Sequence, residues 1–93
     1  MNHQEIREMQ RLNPEVNRIQ LMINNGSIWS MEGSIGRQAM AMLEEGMVML
    51  PKHPTRDSYG NLLPSRDWLK PGSKGTFQNC VRYYNSVKNR ATE

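Results

Sequence analysis

The chain has 93 residues, 37% of them hydrophobic, and a net charge of +3 at pH 7. This length supports one domain with a small core, and the composition leaves part of the chain outside that core. No apolar run approaches the ~18 residues of a membrane span, no signal peptide is visible, and the single Cys80 has no disulfide partner within the chain, so we predict a cytoplasmic protein that does not bind membranes.

The first predicted helix covers about residues 3–24. Its apolar residues recur at spacings of three and four and form one stripe: Ile6, Met9, Leu12, Val16, Ile19 and Ile23. Pro14 interrupts the stripe because proline lacks an N–H and clashes with the preceding turn, while Asn13 is a good N-cap. We expect a kink, or two helices over 3–12 and 14–24. The stripe packs on the domain's own core or, alternatively, against a second copy in a homodimer.

The second predicted helix covers residues 34–46, with Ser34 as its N-cap and Gly46 at its end. Gly36 lowers the helix propensity by roughly 1 kcal/mol relative to alanine, and we expect it to allow the close approach of another backbone. The apolar run MVML at residues 47–50 is short and precedes a proline. This run predicts a buried strand or a buried extended segment.

The third predicted helix covers residues 76–91, with Thr76 as its N-cap. Its apolar residues share one broad face: Phe77, Cys80, Val81, Tyr84, Val87 and Ala91. A cysteine on such a face usually behaves as a small buried hydrophobe. The sequence therefore predicts a mostly α domain of three helices, with a minor short strand or hairpin element and a structured Gly/Pro-rich loop at residues 51–75.

The segment RDSYGNLLPSRDWLKPGSKGT, at residues 56–76, differs from a flexible linker because it contains aromatic and branched apolar residues. Its Gly-Asn pair at residues 60–61 suits a two-residue hairpin turn. We expect an ordered irregular loop or small hairpin, held to the domain by Tyr59, Leu62 and Trp68. A loop of this length in a compact domain is usually functional or disordered, so we treat it as the candidate working surface.

Residues that could support catalysis or metal binding are few. One cysteine and two histidines cannot supply a closed zinc site of four ligands, and Asp57 and Asp67 each follow an arginine, which is typical of loop ion pairs. The segment PGSKGT before the third helix is not a Walker motif because its lysine precedes a glycine. It is a glycine-rich helix start or, alternatively, an anion site. We predict a non-enzymatic protein without catalytic residues, metal or cofactor.

The charge and the aromatic residues point to a binding protein. Residues 1–50 carry a net charge of −2, whereas residues 51–93 carry +5. Tyr, Trp and Arg dominate the energetics of protein interfaces, and eight methionines suit an adaptable apolar surface. The candidate residues for binding a protein partner are Arg56, Tyr59, Arg66, Trp68, Lys70 and Lys74.

The alternative partner is a nucleic acid, bound through the basic C-terminal half with exposed aromatic rings as stacking platforms. The sequence shows no helix-turn-helix, zinc-finger or RNA-recognition signature. The candidate residues for this alternative are Lys74, Arg82, Lys88 and Arg90.

The blocks MEGSIGRQAM, YGNLLPSR and PGSKGT occur in this order within residues 29–76. This order resembles that of small accessory proteins of tailed bacteriophages, and it covers half of the chain. The resemblance implies a small protein that associates stoichiometrically with a host protein or protein complex in the host cytoplasm. Inhibition of a host defence nuclease is one such task, and redirection of host transcription or replication is another. It brings no catalytic residues.

Overall fold

A computed structural model describes residues 1–91, with the side chains of residues 1–90, and this part of the chain is mostly helical. Its four α-helices are α1 (His3–Arg11), α2 (Pro14–Asn24), α3 (Gly33–Glu45) and α4 (Phe77–Ala91). Two short 3₁₀-helices cover Ser27–Ser30 and Arg66–Trp68, and a two-stranded antiparallel hairpin consists of β1 (Thr55–Arg56) and β2 (Leu62–Leu63). The mostly α class and the small hairpin are confirmed, with one helix more than the three predicted.

The additional helix arises at Pro14, where the chain breaks. Asn13 is the N-cap of α2, and its side-chain oxygen accepts hydrogen bonds from the backbone N–H groups of Glu15 (3.2 Å) and Val16 (3.3 Å). Pro14 occupies the first helical position, where its missing N–H leaves no intrahelical bond unmade. The predicted break is therefore confirmed, and it produces two helices that pack against each other instead of one kinked helix.

The apolar stripe of the first predicted helix does not act as one face. Ile6 of α1 packs in one core cluster, whereas α2 contributes to another. The larger cluster contains Val16, Ile19, Ile23, Ile28, Ala39, Leu43, Val48 and Leu50. The smaller cluster contains Ile6, Met49, Cys80 and Tyr84. Leu12, at the junction of the two helices, is largely exposed, so the stripe serves the domain's own core almost entirely.

Residues 48–50 are buried as predicted, but no strand forms over 47–50 among the described residues: the chain bends at 47–48, and 49–50 have no regular secondary structure. The side chain of Gln20 takes the place of a strand: its oxygen accepts from the Met49 N–H (2.9 Å) and its amide donates to the Met49 carbonyl (2.9 Å). The Gln10 amide donates to the carbonyl of Met47 (3.0 Å) and to the Gln20 oxygen (2.9 Å). Two buried glutamines thus pair with the Met47 carbonyl and with both backbone polar groups of Met49.

The start of α3 differs from the expectation. The helix begins at Gly33, and Glu32 occupies the N-cap position without a capping side-chain bond. Ser34 lies inside the helix, and its hydroxyl donates to the Glu32 carboxylate. The prediction that Ser34 caps this helix is therefore wrong, because the N-cap position falls two residues earlier, at Glu32.

The glycines of α3 also have different roles from those expected. A Cβ added at Gly36 would meet nothing within 4 Å, so the expected close approach of a backbone at this position is wrong. The close approach occurs at Gly46, where φ is +99° and a Cβ would lie 2.6 Å from the carbonyl oxygen of Asn79 in α4. The Asn79 amide in turn donates to the Leu43 carbonyl (3.1 Å). Gly46 and Asn79 therefore dock the end of α3 on α4.

Candidate binding surface

Hydrogen bonds tie the start of the segment 51–75 to its middle, and one further bond ties its end to the residue that precedes it. The Ser65 hydroxyl is buried and donates to the Lys52 carbonyl, and the Arg66 N–H donates to the Pro51 carbonyl (3.0 Å). At the far end, the Leu50 N–H donates to the Gly75 carbonyl (2.9 Å). These contacts close the segment on itself, so its ends lie side by side.

The residues expected to hold the segment are instead exposed. Tyr59 is 90% exposed and Trp68 is 61% exposed, and Leu62 is also exposed. The expectation that these three side chains anchor the loop is wrong, because Ser65 and the backbone contacts do so. Large apolar side chains therefore stand in solvent on an ordered backbone.

The hairpin tip is fixed by Asp57. One carboxylate oxygen accepts from the backbone N–H groups of Tyr59 (2.9 Å) and Asn61 (2.8 Å), and the other accepts from the Asn61 side-chain amide (3.1 Å). The Arg56 guanidinium donates to the Gly60 carbonyl (2.8 Å). Desolvation acts to raise the pKa of Asp57, but the hydrogen bonds that its carboxylate accepts from residues 59–61 outweigh this effect and lower the pKa. These bonds fix the backbone at Tyr59, while its side chain is exposed to solvent.

The turn of this hairpin is longer than predicted. Strand β1 ends at Arg56 and β2 begins at Leu62, so residues 57–61 connect them instead of the Gly-Asn pair alone. Gly60 has a φ of +84°, which glycine adopts without strain. Asp57 and Asn61 close the connection through their side chains and through a backbone hydrogen bond of 3.1 Å.

The basic residues of the predicted protein-binding set fall into two groups. Arg56 and Lys70 are exposed in the loop. Arg66 is half-buried, and its guanidinium donates to the Leu50 carbonyl (3.2 Å), which gives it a structural role. Lys74 lies 3.8 Å from the carboxylate of Glu44 in α3. Arg56 and Tyr59 share the hairpin, and Arg66 and Trp68 share a 3₁₀-helix.

One of the residues predicted to bind a nucleic acid, Arg82, forms hydrogen bonds within the protein. Arg82 donates to the Glu45 carbonyl (2.7 Å) and to the Asn79 side chain (3.0 Å), which completes the contact between α3 and α4. Lys88 and Arg90 are exposed in the last turn of α4. Arg82 thus belongs to the contact between α3 and α4, whereas Lys88 and Arg90 lie at the C-terminal end of α4.

A polar cavity of about 450 Å³ lies at the start of α4, lined by His3, Lys52, Arg66, Asp67, Phe77 and Gln78. His3 stacks on Phe77 with ring centroids 6.1 Å apart. Desolvation, together with repulsion from Arg66 and Arg7, lowers the pKa of His3. His3 therefore favours the neutral form in this setting.

Sequence reasoning missed an apolar cavity of about 360 Å³ between α3 and the segment 51–75. Its apolar lining includes Trp29, Met40, Leu43, Leu50, Leu63 and Leu69. These residues come from five separate stretches of the chain, so no local motif marks the cavity. A leucine or methionine in such a position is indistinguishable in the sequence from a core residue.

The single thiol of the chain lies in the smaller core cluster. Cys80 is fully buried, and desolvation raises the pKa of its thiol to about 12, so it is neither accessible nor ionised near neutral pH. Residues 1–91 contain no group of three or more His, Cys, Asp or Glu side chains that could hold a metal ion. No helix in the described part of the chain is both long and apolar enough to cross a membrane.

Comparison of the chain with protein-family models, with curated proteins and with solved structures finds no match. The interpretation of the surface therefore depends on the chemistry of its own residues.

Proposed function

We propose that this chain is a small non-enzymatic protein that acts by stoichiometric association with a protein partner. The contact is made by the tip surface, which we define as Arg56, Tyr59, Leu62, Trp68 and Lys70. The observation that supports this proposal is the exposure of Tyr59 and Trp68 on a hydrogen-bonded backbone.

The energetics of association favour such a surface. Burying a large apolar side chain contributes about 1.5–3 kcal/mol, and Tyr and Trp are the residue types most enriched at binding hot spots. Association also costs the entropy of ordering mobile loops. Because the Asp57 carboxylate already fixes the backbone of the hairpin tip, the backbone part of this cost is reduced for Tyr59.

The charge of this region indicates the chemistry of the partner. Residues 51–93 carry a net charge of +5, and two exposed cations, Arg56 and Lys70, lie within three residues of Tyr59 and Trp68 in the sequence. An acidic protein surface with apolar recesses would complement them. The resemblance to phage accessory proteins supports a host protein as this partner. Inhibition of a host defence nuclease is one task that the chain would then perform.

The test is quantitative affinity purification from a bacterial lysate, with the immobilised protein and two double variants. Tyr59→Ala with Trp68→Ala removes the aromatic contacts, and Leu12→Ala with Leu21→Ala removes two exposed side chains elsewhere. We expect a partner that the unmodified protein and the control retain in a fixed ratio, and that the tip variant loses. Circular dichroism checks that each variant is folded. Retention of the same partners by a folded tip variant would contradict the proposal.

A nucleic acid is the second candidate partner, because exposed aromatic side chains near Arg56 and Lys70 also suit base stacking. Fluorescence anisotropy of labelled single- and double-stranded DNA and RNA at low and physiological salt separates the two candidates. Phosphate contacts release counterions and give an affinity that falls steeply with salt, whereas apolar protein contacts do not. Absence of binding at low salt would exclude a nucleic acid and leave a protein as the single candidate partner.

A further inference from the structure

The polar cavity beside α4 has the size of a small-molecule site. Its volume of about 450 Å³ lies within the range of roughly 300–1,000 Å³ typical of ligand pockets. Side chains from distant parts of the chain meet around this space: His3 of α1, Lys52, Arg66 and Asp67 of the second 3₁₀-helix, and Phe77 and Gln78 of α4.

The charge of this lining is positive. Lys52 and Arg66 each carry a full positive charge, and Asp67 is the single carboxylate of the lining. Among the described residues, no carboxylate oxygen lies within 4.0 Å of the Lys52 ammonium or of the Arg66 guanidinium. Asp67 therefore does not neutralise either cation by direct contact.

The lining also contains hydrogen-bond donors without a protein acceptor. The Arg66 guanidinium has five N–H groups, and its one side-chain bond within the described part of the chain is to the Leu50 carbonyl (3.2 Å). The Lys52 ammonium and the Gln78 side-chain amide donate to no atom of the described residues. These three side chains can therefore donate to a ligand that has several acceptor oxygens.

His3 experiences the same positive charge. Desolvation lowers the pKa of its imidazole, and repulsion from Arg66 and Arg7 lowers it further. The other charged groups at this cavity are Lys52 and Asp67. An anion bound among these cations would offset the repulsion and raise the pKa of His3.

We propose that this cavity binds a small phosphate monoester, with the phosphoryl group on Lys52, Arg66 and Gln78 and the organic body against the stacked rings of His3 and Phe77. A phosphoryl group suits this lining better than a carboxylate does. Its three terminal oxygens accept from donors on several sides, whereas the two oxygens of a carboxylate lie in one plane. No residue of the tip surface lines the cavity, so this binding and partner binding are separable.

The two histidines of the chain make a direct test feasible, because His3 lines the cavity and His53 does not. Phenyl phosphate, inorganic phosphate and phenol are titrated into the protein at pH 7 and constant ionic strength, with the imidazole ¹H signals as the readout. We expect saturable binding of phenyl phosphate, about tenfold weaker binding of inorganic phosphate, which lacks the ring, and no saturable binding of phenol. Saturation with phenyl phosphate should raise the pKa of His3, whereas the His53 signals should not respond.

Matched variants locate the site. Lys52→Gln should weaken phenyl phosphate binding about tenfold, because it removes a charge-assisted hydrogen bond. Lys70→Gln removes the same charge from an exposed lysine outside the lining and should leave the affinity intact. Asp67→Asn should strengthen binding, since it removes the carboxylate that repels the phosphoryl group. Circular dichroism checks that each variant is folded.

Four results would overturn the proposal. Absence of a saturable His3 response to phenyl phosphate would mean that the lining is not an anion site. Equal affinity for inorganic phosphate and phenyl phosphate would assign the cavity to free phosphate instead of an ester. Equal weakening by Lys52→Gln and Lys70→Gln would mean that binding follows the net charge alone. Equal responses of His3 and His53 would place the ligand outside the cavity.

Discussion

Gln20 pairs with the backbone of Met49 in the segment 47–50, which has no neighbouring strand among the described residues. Its side-chain amide offers the Met49 backbone the same donor and acceptor that a neighbouring strand would offer. Gln10 orients this amide from α1. In the sequence, both glutamines resemble ordinary polar positions of an amphipathic helix. Only the structure shows that both are buried, because their burial depends on the packing of the distant segment 47–50 against them.

Replacement of Gln20 by Ala should destabilise the fold by about 3 kcal/mol, because it leaves a buried N–H and a buried carbonyl of Met49 unpaired. Urea unfolding followed by circular dichroism measures this loss. Gln78→Ala is the control, since Gln78 is exposed on α4 and its replacement should change the free energy of unfolding by less than about 0.5 kcal/mol. Equal effects of the two substitutions would show that the buried amide is not stabilising.

The ends of the helices decide how the elements meet. Asn13 and Pro14 stop one helix and start the next, and their chemistry is local enough to be read in the sequence. The same is true of Thr76, whose hydroxyl oxygen accepts from the Asn79 N–H (3.2 Å) and caps α4 as predicted. Gly46 was also expected to end its helix, but its contact with Asn79 depends on α4 and could not be read locally.

Two glycines of the same region should respond to alanine with opposite signs. Gly36→Ala should stabilise the protein by up to about 1 kcal/mol, because a Cβ there meets nothing within 4 Å and alanine has the higher helix propensity. Gly46→Ala should destabilise it by about 2 kcal/mol or more, because of the left-handed φ and the contact with Asn79. Thermal and urea unfolding of both variants provide the comparison. Stabilisation by Gly46→Ala would exclude the close contact between α3 and α4.

At the scale of the whole molecule, the core is divided into two clusters because α1 and α2 turn at Pro14. The smaller cluster lies between α1, α4 and the segment 47–50, and it buries two ionisable groups. Desolvation raises the pKa of Cys80 to about 12 and also raises that of Tyr84, whose hydroxyl donates to the Met47 carbonyl (2.7 Å). Both groups therefore stay protonated in the folded state under conditions that ionise them in the unfolded chain.

The stability should consequently fall at alkaline pH. A pKa that is raised on folding contributes stability below the unfolded value, which is 9.0 for Cys80, and this contribution is lost as the pH rises towards the folded value of about 12. Urea midpoints at pH 7, 9 and 10 should therefore decrease between pH 9 and 10, and Cys80→Ala should show a smaller decrease. An identical decrease in the variant would show that Cys80 does not contribute. Iodoacetamide should modify Cys80 in urea but not in the native protein.

The sequence by itself determined the features that neighbouring residues control: the break at Pro14, the cap at Thr76, the burial of Cys80 within an apolar face, and the presence of a hairpin. Only the tertiary structure decided which side chains are exposed in the segment 51–75, how the apolar stripe divides, and where the apolar cavity lies. Capping and helix periodicity depend on bonds within one turn of chain. Burial depends on which distant segments meet, and an apolar side chain has the same character in the sequence whether its neighbour is another helix, a cavity or water.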